Sequence, residues 1–329
     1  MNYEQSNNTS VVFLNQPKLS TDKSDEIFNG KRIALIPEIS KYITNNELFK
    51  GQEVKVFFIE KGVGSVVCIL ETTDQKYIFK TPLSDTHSWG EAQFLKVWGE
   101  AGVKVPNIFE TGIIMGRPYI LMEYVETPTL NNLGTSESLS DQGYYKEMGS
   151  VLHQMHTREA SGFGLVKEGK AEYAEFNDWL LSDDVQSRTD YIKDNNILDE
   201  GGQKTIDDAI SVLREFVSKN QRSAYCHDDF GTANIFATKP LTVFDPNPRF
   251  NHPYVDLGKT MCNCILGGTY PSELVDGYFG TEPYNEKALT AAIILNLAMK
   301  LRYAHQKNRQ KVIENAVKFI ESKDKIFLS

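Results

Sequence analysis

Cysteine is scarce in this chain. Only Cys68, Cys226, Cys262 and Cys264 occur among 329 residues. They are too few and too scattered for a disulfide framework, and Cys262-Asn263-Cys264 lacks the spacer and second pair of a zinc knuckle. They read as reduced thiols, partly in the core. No run of about 18 apolar residues occurs, so no membrane-spanning helix is expected. The opening MNYEQSNNTS has no basic stretch followed by an apolar one, so no signal peptide is expected and the expected location is the cytoplasm. Excess positive charge is also missing. The 35 Lys and Arg face 44 Asp and Glu, net −9, which argues against nucleic acid or an anionic membrane as partner. There are no internal repeats and no low-complexity tracts.

The acidic excess is uneven. Residues 126–238 hold 10 basic and 20 acidic groups, whereas 239–329 hold 12 and 9. Such a middle third is either ordinary solvated helix surface or a face that attracts a cationic substrate.

What is present divides into two textures. Residues 1–30 are rich in Asn, Ser, Thr, Lys and Asp, with VVFL at 11–14 as an apolar patch, and read as a loosely ordered arm or a lobe-capping extension. From about 53 to 81, EVKVFFIE, which alternates and is rich in β-branched and aromatic residues, then SVVCILETTD and KYIFK after a D-Q turn, read as three antiparallel strands. SWGEAQFLKVWGEAGV follows with helical spacing, and PNIFETGIIMGRPYILMEYV gives two more strands around MGRP. After Val125 the pattern turns helical: SDQGYYKEMGSVLHQMHT, EFNDWLLSDDVQSRTDYI, QKTIDDAISVLREFVSK and a tail of two amphipathic helices. The expected fold is α+β, with a β-rich lobe over 31–125 and a larger helical lobe over 126–329.

One stretch stands out. CHDDFGTANIF, 226–236, gathers a His, two Asp and an Asn between apolar anchors. A core strand does not tolerate so many unpaired polar groups, so this reads as a loop held rigidly to present them. Four more features join it. Asp245 ends the strand-like LTVFD, Lys80 ends KYIFK, Glu91 follows Lys80 by eleven residues, and Gly62-x-Gly64-Ser65 sits at a strand turn.

In this order the features resemble the aminoglycoside phosphotransferase family, within the protein-kinase-like superfamily that includes choline and fructosamine kinases. HDDFGTAN with FDP resembles the family's His-Gly-Asp-x-x-x-x-Asn loop and following Asp. GEAQFLKVWGEAGVKVPNIFETG resembles its Glu helix, PYILMEYVETPTL its hinge, and MGSVLHQMHT with GFG its Leu-x-x-x-His helix and the loop behind. The resemblance spans roughly residues 55–265 and implies a two-lobed kinase-like fold. It also implies transfer of the γ-phosphate of ATP, or of GTP, to a small-molecule hydroxyl, with Mg2+.

Phosphoryl transfer needs positioning and charge neutralisation more than covalent chemistry. Asp229 is then the base and His227 a largely structural member of the catalytic loop. Asn234 and Asp245 supply oxygen ligands for the metal. Lys80, held by Glu91, reaches the phosphates. Gly62, Gly64 and Ser65 form a phosphate-side turn. Glu123 and Val125 offer backbone groups to the purine, with Met122 as pocket wall. Asp256 reads as a helix N-cap; His153 and His156 read as core or interface residues. Where the family has Gly, this chain has Asp228, a residue type that tolerates positive φ and is a candidate contact for a cationic substrate.

The acidic middle third favours an aminoglycoside as substrate, with Glu175, Asp178, Asp183 and Asp184 as candidate ligands beside Glu172 and Asp190. A metabolite kinase of the choline, amino-sugar, fructosamine or methylthioribose type is the alternative. A protein kinase is disfavoured by Asp245-Pro246-Asn247 in place of Asp-Phe-Gly and by the lack of Ala-Pro-Glu. A catalytically dead nucleotide-binding module is disfavoured by the intact Lys80, Asp229, Asn234 and Asp245. A monomer or homodimer is expected.

Overall fold

The computed structural model describes residues 9–19, 26–59, 64–83 and 90–323. The chain divides into two units, Met1–Ala92 with Pro106–Glu126, and Gln93–Val105 with Thr127–Ser329.

The first unit is built on a six-stranded sheet in the order β1-β2-β3-β4-β6-β5. Its elements are β1 (Ser10–Phe13), α1 (Glu26–Asn45), β2 (Glu53–Phe58), β3 (Ser65–Glu71), β4 (Lys76–Pro82), the first residues of α2 (Glu91–Glu100), β5 (Ile108–Ile114) and β6 (Arg117–Glu123). The period-two pattern of the sequence sets the core. Val54, Val56 and Phe58 of β2 point inward with Val66, Cys68 and Leu70 of β3 and Tyr77 and Phe79 of β4. Leu35, Ile39 and Ile43, four residues apart on α1, complete that cluster.

Two expectations are corrected here. Residues 10–13 lie in the supposed loose arm, yet they form β1, paired parallel to β2 from Ser10↔Glu53 to Phe13↔Val56. Phe13 stacks on Phe58 at 5.9 Å, so the VVFL patch is bought into the sheet by burial of its aromatic ring. Among the described residues the unit also has six strands and the additional helix α1, rather than five strands and one helix.

The second unit is mainly helical. After α2 come α3 (Ser136–Asp141), α4 (Tyr144–Met155), β7 (Phe163–Lys167), β8 (Lys170–Tyr173), α5 (Phe176–Leu180), α6 (Asp183–Asp194) and α7 (Glu200–Lys219). Then follow β9 (Ala224–Cys226), β10 (Ile235–Phe236), β11 (Thr242–Val243), β12 (Arg249–Asn251), α8 (Pro253–Leu266), α9 (Ser272–Phe279), α10 (Glu286–Gln306) and α11 (Gln310–Glu321). The helical segment over 175–192 forms two helices, α5 and α6, separated at Leu181 and Ser182. A four-stranded sheet, β8-β7-β12-β9, and the hairpin β10-β11 carry the polar loop of interest. Among the described residues no helix is long and apolar enough to cross a membrane.

Candidate active site

The loop after β9 is fixed at both ends by short strands. Cys226 of β9 pairs with Arg249 of β12, and Ile235 of β10 pairs with Val243 of β11. Between them the four polar side chains have sharply different surroundings.

His227 is fully buried. Its Nε2 lies 3.0 Å from the carbonyl of Phe244, so Nε2 carries the proton and donates. The ring stacks on Trp98 of α2, centroids 5.6 Å apart and planes within 4°. Burial lowers its pKa, against the pull of Asp256 and other nearby carboxylates. With no exposed ring atom, His227 acts on the loop and not on a substrate, which removes it from the groups that touch reacting atoms.

Asp228 has φ 55, the left-handed conformation in which Asp is tolerated and Gly is at ease. Its carboxylate is not open to a cationic ligand as anticipated. Oδ2 lies 2.7 Å from Lys259 Nζ and 2.8 Å from Arg249 Nε, and accepts from Asn247 Nδ2 at 2.7 Å. The neighbouring Asp229 is exposed. Its carboxylate and its carbonyl both accept from Asn234 Nδ2, at 3.0 and 2.8 Å. With Nδ2 spent on Asp229, the acceptor oxygen Oδ1 is the amide's other polar atom. Asp245, past β11, is exposed and has φ 56.

The anchor of the loop was misread from sequence. Asp256 is not the N-cap of α8; His252 is, its ring nitrogen accepting from the Tyr254 amide. Asp256 sits one turn inside, 2% exposed. It accepts from the backbone amides of His227 at 2.7 Å and Asp228 at 2.8 Å, and lies 3.0 Å from His156 Nε2. Burial alone would raise its pKa, but the His156 contact and the amide bonds hold it below the usual carboxylate range. His156 also bonds Tyr278 Oη at 2.8 Å. Ligand-type atoms of His156, Cys226 and Asp256 lie within 4.8 Å of one another. This is an interior hydrogen-bonded cluster, since burial holds the Cys226 thiol well above its ordinary pKa and therefore protonated. Trp98, Asn247, Arg249 and Lys259 are further contributors that sequence reasoning missed. Only the three-residue step from Asp256 to Lys259 on one helix face carried a hint of their grouping.

In the first unit, Lys80 on β4 lies 2.7–2.8 Å from Glu91 at the start of α2, their side chains 8% and 1% exposed. Met122 is buried on β6. The Glu123 amide donates to the Asn107 carbonyl at 2.8 Å, so that amide is not open to a purine; Val125 lies two residues beyond the strand. Gly64 accepts from the Leu83 amide at 2.9 Å, and Ser65 opens β3 opposite Pro82. Gly62 lies outside the described residues.

The candidate substrate carboxylates differ in their surroundings. Glu175 and Asp178 are exposed around α5, and Asp183 is exposed at the start of α6. Asp184 Oδ1 is taken by Arg188, 3.1 Å from Nε and 2.5 Å from Nη2, while Oδ2 stands 3.9 Å from Arg249 Nη1.

A family model described as "Phosphotransferase enzyme family" matches residues 56–284, well over half of the chain. The chain belongs to this family. Within the phosphotransferase enzyme family, a probable ketoamine kinase of Staphylococcus aureus is 25% identical over 200 residues, 56% of this chain. The match spans 63% of that relative's length. Among solved structures, a thermostable mutant of an aminoglycoside phosphotransferase, in ternary complex with AMP-PNP and hygromycin B, superposes with TM-score 0.57 at 13% identity, covering 83% of this chain and 92% of that one. A putative fructosamine-3-kinase of Thermobifida fusca gives TM-score 0.55 at 18% identity over 82% and 94%. The likeness to these structures is one of fold, a sheet-based lobe with a helical one.

Proposed function

We propose that this phosphotransferase is an ATP-dependent kinase of a small hydroxylated metabolite, of the ketoamine type. The observation that carries the chemistry is the exposed Asp229 carboxylate, set on a loop whose two preceding residues are anchored to Asp256. Asp229 accepts the substrate's hydroxyl proton as the new O–P bond forms and the bond from γ-phosphorus to the ADP oxygen breaks. Asn234 and Asp245 fit a Mg2+ ion. One carries an amide oxygen and the other, an exposed residue, a carboxylate, the hard oxygen donors such a cation takes. The ion supplies charge neutralisation at the triphosphate. Lys80, held by Glu91, offers a positive charge of the kind that neutralises a triphosphate.

The ketoamine reading is supported by the Staphylococcus aureus relative and by the internal ion pairs that occupy Asp228 and Asp184. An aminoglycoside substrate is the second reading. The exposed Glu175, Asp178 and Asp183 favour it, as does the solved complex with hygromycin B.

The test is ADP release with ATP and Mg2+ against a panel of ketoamines and aminoglycosides, with Asp229→Ala alongside. Ketoamine turnover that falls by about 100-fold or more in the variant supports the reading. Turnover confined to aminoglycosides replaces it with the second, and turnover undiminished in Asp229→Ala removes the base assignment.

A further inference from the structure

Between α6 and α10 lies a cavity of about 310 Å³, lined by Asp184, Arg188, Met299, Arg302, Tyr303 and Gln306. It lies next to the loop just described. Arg249 bridges the two, with Nε 2.8 Å from Asp228 and Nη1 3.9 Å from Asp184. Asp228 immediately precedes the proposed base.

The charges around this cavity run opposite to the middle third as a whole. Asp184 is neutralised by Arg188, one turn further along α6. Asp228 is shared between Arg249 and Lys259. Arg302 is left over. Its guanidinium donates to Ser187 Oγ at 3.2 Å and sits 5.6 Å over the Tyr191 ring, and it pairs with no carboxylate among the described residues. A guanidinium positioned by a ring and a hydroxyl, beside an open polar cavity, is suited to a carboxylate, which it engages through two parallel N–H donors.

We propose that this cavity receives a carboxylate of the substrate, with Arg302 as its main ligand, so that the preferred substrate pairs a sugar hydroxyl with an anionic tail. For a ketoamine this means one formed on an amino acid rather than on a simple amine. The inference rests on the ketoamine reading above for the hydroxyl-bearing part. The anionic tail is argued from the cavity alone.

The test compares two ketoamines of fructose, one formed on glycine and one on methylamine, in wild type, Arg302→Gln and Arg302→Lys. ADP release is measured in each, and binding of the glycine compound is measured by calorimetry without ATP. Arg302 is half-exposed and its side-chain contacts are few, so both variants are expected to fold. In wild type the glycine compound is expected to have the higher kcat/KM by about tenfold, mostly through KM, the size of one charge-assisted hydrogen bond. Arg302→Gln removes most of that preference, with a much smaller effect on the methylamine compound; Arg302→Lys restores part of it. Equal use of both compounds by wild type, or an equal loss on both in Arg302→Gln, overturns the proposal and leaves the kinase reading standing. If neither compound is phosphorylated, the ketoamine reading falls. Calorimetry then decides the anion site by itself: binding of the glycine compound that weakens in Arg302→Gln upholds it, and absence of binding overturns it.

Discussion

Lys259 Nζ lies 2.7 Å from the carboxylate of Asp228, and both belong to one clamp. Lys259 stands three residues after Asp256 on α8, and Asp256 takes the backbone amide of the same Asp228. One helix face therefore holds residue 228 by its main chain and its side chain at once. Arg249 of β12 adds a third hold. The residue next to the proposed base cannot shift without breaking several charge-assisted bonds.

Replacing Asp228 separates conformation from charge. Asp228→Gly accepts φ 55 without strain but loses the clamp; Asp228→Ala loses the clamp and keeps the strain. Both are expected to lose about 3 kcal/mol from the cations left behind in a largely buried place. Alanine should be the less stable of the two by a further ~1 kcal/mol. Urea unfolding checks the ranking. In ADP-release assays both variants should lower kcat more than they raise the KM for the hydroxyl substrate.

The Lys80–Glu91 pair is buried, so breaking it from one side is costly. Glu91→Leu alone is expected to destabilise by about 3 to 5 kcal/mol, because the buried Lys80 ammonium loses the Glu91 carboxylate. The double variant Lys80→Met with Glu91→Leu should recover much of that stability while remaining inactive in ADP release. A double variant no more stable than Glu91→Leu would show that the two side chains do not interact in this way.

Two glycines set the approach of α4 to α9. A Cβ at Gly149 would stand 2.0 Å from the Leu274 carbonyl oxygen, and one at Gly277 would stand 2.0 Å from that of Lys146. Neither obstacle is a flexible side-chain end, so the helices must part. Gly149→Ala and Gly277→Ala should each lower stability by about 1 to 3 kcal/mol as overpacked positions, seen as a lower Tm. A helix-propensity gain would push the other way.

His252 makes stability depend on pH. Burial, with the nearby positive charge of Arg222, lowers its pKa from 6.5 to about 3. The folded state keeps it neutral, while the unfolded chain takes up a proton below about pH 6.5. Between those values the unfolded state holds more protons, so stability falls as pH is lowered, by up to about 1.4 kcal/mol per pH unit. His227, lowered in the same direction, adds to the loss. His252→Asn keeps an N-cap acceptor and should roughly halve the drop in urea midpoint between about pH 7.5 and pH 5. An unchanged drop would mean that other groups dominate acid sensitivity.

Much of the arrangement was legible in the chain. Alternation at 53–56 and the β-branched and aromatic runs up to 81 marked three strands, and Lys80, Asp229, Asn234 and Asp245 stood out because polar groups at these spacings sit among apolar anchors. Helix α1 was not legible. Pro37 lies inside it, and its buried Leu35, Ile39 and Ile43 are separated by exposed and half-buried residues that blur the stripe. Strand β1 was hidden for a related reason. Four residues in a polar stretch carry little signal, and their conformation is decided by pairing with β2 forty residues away.

By itself the sequence determined the periodicities, and with them the strands, most helices and the polar loop. These are local properties, set by side chains a few residues apart. The tertiary structure alone decided which charges cancel. Asp228 reads as a free carboxylate until Arg249 and Lys259 are brought to it, and Asp256 reads as a cap until the amides of 227 and 228 reach it. The surplus of Arg302 appears only when α6 and α10 lie side by side. Charge pairing acts over a few ångströms of space, and sequence separation says nothing about that distance.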